Sequence, residues 1–165
     1  MATCKAQLPE DLIKQLDKAL ADMDSIAEAA LSAGAKVLRS AADDRLGHAL
    51  AQPRRYPKRG TGELRQSLGV TPIRVSAKGI YDVRIGLNEP RRIQPGHRIG
   101  KNAKGGGYYV ATNAMVGNIL ENGHKGTVSG QAAAPWFTPA LKSSKTEILE
   151  IIRATVEARL SEIFK

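Results

Sequence analysis

Three histidines, one cysteine and a run of three glycines are the residues whose type alone could suggest chemistry. His48, His97 and His124 are far apart in sequence and have no Cys, His or carboxylate at ligand spacing, so no metal site is expected. Asn122-Gly123-His124-Lys125-Gly126 sets a histidine beside flexible glycines, an arrangement that suggests a nuclease, but a nuclease also needs an acidic cluster to hold its metal. The middle of the chain offers only Glu63, Asp82 and Glu89 for that purpose. Gly105-Gly106-Gly107 lacks the spaced glycines and the Lys-Ser/Thr ending of a phosphate loop, and reads as a hinge. An active site should show convergent titratable groups. With none visible, the sequence predicts no enzyme, no catalytic residues and no cofactor.

Charge is the stronger signal. The net charge of +9 is concentrated in residues 51–105, which carry 13 basic and 3 acidic side chains, while residues 1–50 sum to −2 and residues 106–165 to +1. Its main carriers are Arg54, Arg55, Lys58 and Arg59 in one loop, and Arg91, Arg92, Arg98, Lys101 and Lys104 in another. Such a field attracts nucleic acid or an acidic protein surface. The single cysteine, Cys4, rules out a disulfide framework within the chain and fits a reducing compartment. No run of about 18 apolar residues is present, and the N-terminus has no apolar signal region, so a soluble protein made in the cytoplasm is expected, with no membrane partner.

The elements that would position these residues begin with the longest periodic segment, from Pro9 to about Ala49. There Leu8, Leu12, Leu16 and Leu20, then Met23, Ala27, Ala30, Gly34, Leu38 and Ala41, predict an amphipathic helix. About forty helical residues would span roughly 60 Å, so a break near Ser32-Ala33-Gly34 is expected. Small residues from Ala29 to Ala35 permit another backbone to approach, whether from this chain or a second one. A basic loop from Gln52 to Gly62 leads to a short helical turn carrying Leu64 and Leu68 inward, with Gly69 as its stop. Val70–Ser76 and Ile80–Leu87 predict an antiparallel hairpin turning at Ala77-Lys78-Gly79, with Pro72 marking an edge or a bulge. Residues Glu89 to Gly107 predict a mobile loop or long hairpin tip, Tyr108-Tyr109-Val110 a further strand, and Ala114–Glu121 a short helix. From Pro139 to Phe164 the pattern is helical again, with Thr138 as N-cap and Pro139 as first helical residue.

The only Trp and one of two Phe stand together in Pro135-Trp136-Phe137-Thr138-Pro139, at the mouth of that last helix, and are expected to lock it onto the core. The expected fold is α+β: a long N-terminal helix, a small antiparallel sheet of three to four strands with a short helix, and a C-terminal helix packed on the sheet. A single domain over 1–165 would comprise a helical arm (1–50), a sheet with basic loops (51–137) and the last helix (138–165).

Three stretches carry a resemblance. Thr61-Gly62-Glu63-Leu64-Arg65-Gln66-Ser67-Leu68 matches a TG-x-L-x-x-S-[IL] element following a long N-terminal helix. Ile119-Leu120-Glu121-Asn122-Gly123 resembles a [VL]-E-x-G segment. Ala134-Pro135-Trp136-Phe137-Thr138-Pro139-Ala140-Leu141 resembles P-x-F-x-x-P-A-[LI] before the last helix, with one residue fewer between the Phe and the second Pro. In this order, over roughly Leu31 to Leu160, they resemble the neck or tail-completion proteins of long-tailed bacteriophages, a group similar to the lambda minor tail protein Z. The resemblance implies a structural virion subunit forming a homo-oligomeric ring, hexameric by analogy, at the head–tail junction. Its implied partners are copies of itself and adjacent neck and tail proteins around the DNA channel. It gives Glu121 a contact to a neighbouring subunit's basic loop, while the residues alone equally allow a helix-end carboxylate bonding the adjacent turn. The basic segment has three readings: a sequence-independent contact to genomic DNA phosphates, a dock on an acidic neighbouring ring, or solvated loops. A strongly basic lumen would grip DNA that must pass, which favours the protein dock.

Overall fold

Strings of alanine and other strong helix formers through the first fifty residues favour helix, and helix α1 (Glu10–Ala21) is followed after one residue by α2 (Met23–Ala51). The computed structural model describes residues 9–52, 62–88, 112–125, 130 and 132–165. Cys4, Thr61, His97, all nine basic loop residues from Arg54 to Lys104, the glycines at 105–107 and the strand expected at 108–110 lie outside these residues.

The long helix is interrupted at Asp22, whose ψ of 1° departs from helical geometry. The expected break near Gly34 is absent: α2 runs through it. Gly34 is instead a packing position, because a Cβ there would lie 2.9 Å from Ile152 Cδ1 and 3.2 Å from Ile148 Cγ2. The inward face also differs from the expected leucine stripe. Ala19, Ile26, Ala30, Ala35, Ala42, Leu46 and Ala49 are buried, while Leu16, Leu20 and Met23 are exposed. Residues four apart drift by about 40° per step around a helix of 3.6 residues per turn, so the leucine run winds off the inner face.

Helix α3 (Glu63–Gln66) is the predicted helical turn; it starts at Gly62, whose φ of 77° suits glycine. Gly69 is not its stop. The turn ends at Ser67, and Gly69 lies in strand β1 (Leu68–Val70), where a Cβ would fall 2.4 Å from Asn88 Nδ2. Strands β2 (Arg74–Val75), β3 (Tyr81–Asp82) and β4 (Ile85–Leu87) complete the predicted hairpin. β1 pairs antiparallel with β4, Leu68 opposite Leu87, and β2 with β3, Val75 opposite Tyr81. The two ladders do not merge into one sheet. Thr71 N–H donates to Arg84 O at 2.8 Å, and beyond that pair Pro72 and Ile73 together face Val83, a bulge at the proline that cannot donate. At the tip, Ser76 Oγ accepts from the N–H groups of Lys78 and Ile80, and Gly79 takes a φ of 72°.

Helix α4 (Asn113–Asn122) is N-capped by Thr112, whose Oγ1 accepts from Met115 N–H at 3.1 Å. Helix α5 (Phe137–Ile163) ends the chain. It runs antiparallel to α2: its last turns share a notch with Ser25 and Ile26, its middle meets Gly34, and Ala140 joins Ala42 and Leu46 in the core. Only its beginning shares the core that the hairpin closes; the rest of it lies along α2. The fold is α+β, and among the described residues no helix is long and apolar enough to cross a membrane.

Candidate functional site

The three motif-bearing stretches, distant in sequence, meet in one place. Leu64 and Leu68 from the first, Leu120 from the second, and Ala134, Trp136 and Ala140 from the third form a single buried cluster with Ala42, Leu46 and Ala49 of α2. Trp136 is 4% exposed, and its indole Nε1–H donates to Gly117 O at 3.2 Å, so its one polar group is satisfied. Phe137 meets it edge-on, with ring centroids 5.4 Å apart. Gly117 makes room for this arrangement: a Cβ would lie 2.3 Å from Leu87 Cδ1 and 3.6 Å from Trp136 Cζ2.

Glu121 joins the second and third stretches. Its Oε2 accepts from Trp136 N–H at 2.7 Å and Phe137 N–H at 2.9 Å, and its Oε1 accepts from Thr138 N–H at 3.0 Å. A helix leaves four N-terminal positions without intrahelical acceptors. Here three of them donate to one carboxylate, and the fourth, Pro139, has no hydrogen to donate. The expected N-cap at Thr138 and first helical residue at Pro139 are therefore displaced: the helix starts at Phe137, Trp136 takes the cap position without a side-chain cap bond, and α4 supplies the acceptor. The negative charge also faces the positive end of the α5 dipole. Burial pushes the Glu121 carboxyl up, but bonds from the Thr138 hydroxyl and the three N–H groups outweigh it and hold the group below its usual 4.5. Gly123, two residues on, has φ 76° and ψ 176°, a region open essentially to glycine, and its N–H closes α4 on Ile119 O at 2.8 Å. Ala134 N–H then bonds Leu120 O at 2.8 Å, fastening the incoming loop. Glu121, given a neighbouring subunit by the resemblance, thus has both oxygens engaged within its own chain.

The first stretch is fastened by contacts that sequence spacing does not reveal. Arg65 Nε and Nη2 donate to Asp43 Oδ1 and Oδ2 at 2.8 and 2.7 Å, a two-point clamp of α3 onto α2. The bonded guanidinium holds the Asp43 carboxyl below its usual range, against a smaller opposing effect of burial. Ser67 Oγ–H donates to Leu64 O at 2.8 Å, and Asn88 N–H to Ser67 O at 2.7 Å, binding the turn to the end of β4. Asn113 Nδ2–H donates to Asn88 O at 2.8 Å, bringing in α4. Pro135 stays exposed beside this junction.

Among the described residues no group of three or more His, Cys, Asp or Glu is placed to hold a metal ion. His48 and His124 are both exposed and lie on different elements. The arrangement therefore fixes three chain segments rigidly and presents helix and hairpin surfaces outward. Ile13, Leu16 and Leu20 of α1 and Met23 at the start of α2 are 44%, 43%, 74% and 49% exposed. Leu16, Leu20 and Met23 belong to the stripe that the sequence assigned to the inner face, and the structure turns them outward.

No curated protein and no solved structure matches the chain. The family described as "Bacteriophage HK97-gp10, putative tail-component" matches residues 10–123, which takes in the first two motif stretches and stops short of the third. With more than two thirds of its length matched, the chain belongs to this family of phage tail components.

Proposed function

We propose that this protein is a ring-forming structural subunit of a long-tailed phage, seated in the virion where the tail is completed and joined to the capsid. The observation that carries the reading is the convergence of the three motif stretches on one buried junction within a chain of a tail-component family. Those motifs are consumed in holding the fold, which leaves function to the surfaces it presents, as suits a subunit whose work is assembly and not turnover. Its partners are further copies of itself, in a ring of six by analogy, and the neighbouring neck and tail proteins. The loops bearing Arg91, Arg92, Arg98, Lys101 and Lys104 dock on an acidic neighbour, their charge steering encounter.

A second reading, a sequence-independent DNA-binding module using residues 54–104, rests on the +10 charge of residues 51–105. One experiment separates the two. Replacing the five loop cations with Ser is expected to leave capsids and tails unjoined while salt-dependent DNA affinity stays unchanged. Loss of DNA affinity with normal joining would reject the dock in favour of the module. Imaging of assembled particles should find the subunit at the joint; particles complete without it would overturn the proposal.

A further inference from the structure

The second motif stretch ends in the one Asn-Gly pair of the chain, Asn122-Gly123. Such a pair has a chemistry of its own. The main-chain nitrogen after an asparagine can attack the side-chain amide carbon, and glycine, lacking a side chain, hinders that attack least. Asn122 is exposed, so water reaches it.

The fold holds the reacting groups apart. Asn122 is the last residue of α4, and a planar ring through its Cα, Cβ, Cγ and C and the Gly123 nitrogen does not form at helical ψ. Gly123 N–H is engaged with Ile119 O at 2.8 Å. The Asn122 amide Nδ2 donates to Asn118 Oδ1 at 2.6 Å and to Asn118 O at 3.3 Å, which turns the group back along the helix. The same turn carries Leu120 O, which takes Ala134 N–H, and Glu121, which caps α5. Opening this turn therefore frees the reaction and loosens the junction together.

We infer that Asn122 is a modification site gated by the last turn of α4, where a chain that opens is altered irreversibly. Once the turn is open, a base in the solvent takes the Gly123 N–H proton, the nitrogen bonds to Asn122 Cγ, and the side-chain amide leaves as ammonia. Water then opens the succinimide, giving either an aspartyl residue or an isoaspartyl one, in which the main chain runs through the former side chain. Both products set a carboxylate at the negative end of the α4 dipole. The isoaspartyl link also lengthens the main chain by a methylene just before Gly123, so the bond from Gly123 to Ile119 is not remade. Chains that open here leave the pool able to close on α5, whatever they assemble with.

The test ages the full chain in mildly alkaline buffer, with and without urea, and follows Asn122 by peptide mass spectrometry. Enzymatic methylation of isoaspartyl carboxylates marks the product. The folded chain is expected to react at least about tenfold more slowly than the chain in urea, equivalent to an opening free energy of about 1.4 kcal/mol. Asn118→Ala removes the side-chain acceptor while favouring helix; it should speed the reaction in buffer and leave the rate in urea unchanged. Aged wild type should melt at a lower temperature than fresh protein, whereas aged Asn122→Gln should not, because glutamine needs a larger ring. Equal rates with and without urea, an Asn118→Ala rate unchanged in buffer, or isoaspartyl-bearing protein that melts like fresh protein would each overturn the inference.

Discussion

At Glu121 a single carboxylate answers every free donor at the start of α5, so its removal strands three backbone N–H groups at once. Hydrogen bonds to a charged group contribute about 1.5–3 kcal/mol each when measured by deletion and are not additive, so Glu121→Ala is expected to destabilise by about 2–4 kcal/mol in a denaturant titration. Glu121→Gln keeps one acceptor and should cost less. The pH dependence has a definite sign. The folded carboxyl sits below its usual 4.5, so the unfolded state binds the proton more readily. The contribution is present in full above that value and disappears as pH falls through the folded pKa. The stability gap between wild type and Glu121→Gln should therefore narrow in acid; a gap constant from pH 7 to pH 3 would contradict the cap. Asp43 adds a loss of the same sign through Arg65, and being common to both proteins it cancels in the comparison.

Between elements, α2 and α5 approach closely because small residues line the contact, and two glycines of α2 separate packing from propensity. Gly34 faces Ile148 and Ile152, β-branched side chains with little freedom to move aside. Gly34→Leu is expected to cost about 1–3 kcal/mol by overpacking. At Gly47 a Cβ would meet Arg65 at an ordinary 3.5 Å, and Gly47→Ala should stabilise by about 0.4–1 kcal/mol through helix propensity and a less flexible unfolded chain. Thermal unfolding of the two variants should shift in opposite directions. Much at this scale was legible beforehand. The hairpin, its turn at Ala77-Lys78-Gly79, the bulge at Pro72, the extent of α4 and the presence of α5 follow from local chemistry. The break at Asp22 did not, because the reason α2 continues through Gly34 lies on α5, more than a hundred residues away.

For the whole molecule, stability should be uneven. The region where α2, α4, α5 and the base of the hairpin share buried side chains should protect its amides longest in hydrogen exchange, while α1 and residues 74–82 exchange early. The sequence by itself determined the α+β class, the helical and hairpin segments, the concentration of charge in residues 51–105 and the motif order that points to phage tail components. These depend on periodicity, turn chemistry and composition, which act over a few residues. The tertiary structure alone decided that Glu121 caps α5 from another helix, that Arg65 clamps Asp43, and that Leu16 and Leu20 of the first helix face outward while Ala19 turns inward. Each of these depends on which surfaces meet across long stretches of chain, and a carboxylate or a leucine carries no local sign of the partner that folding will bring to it.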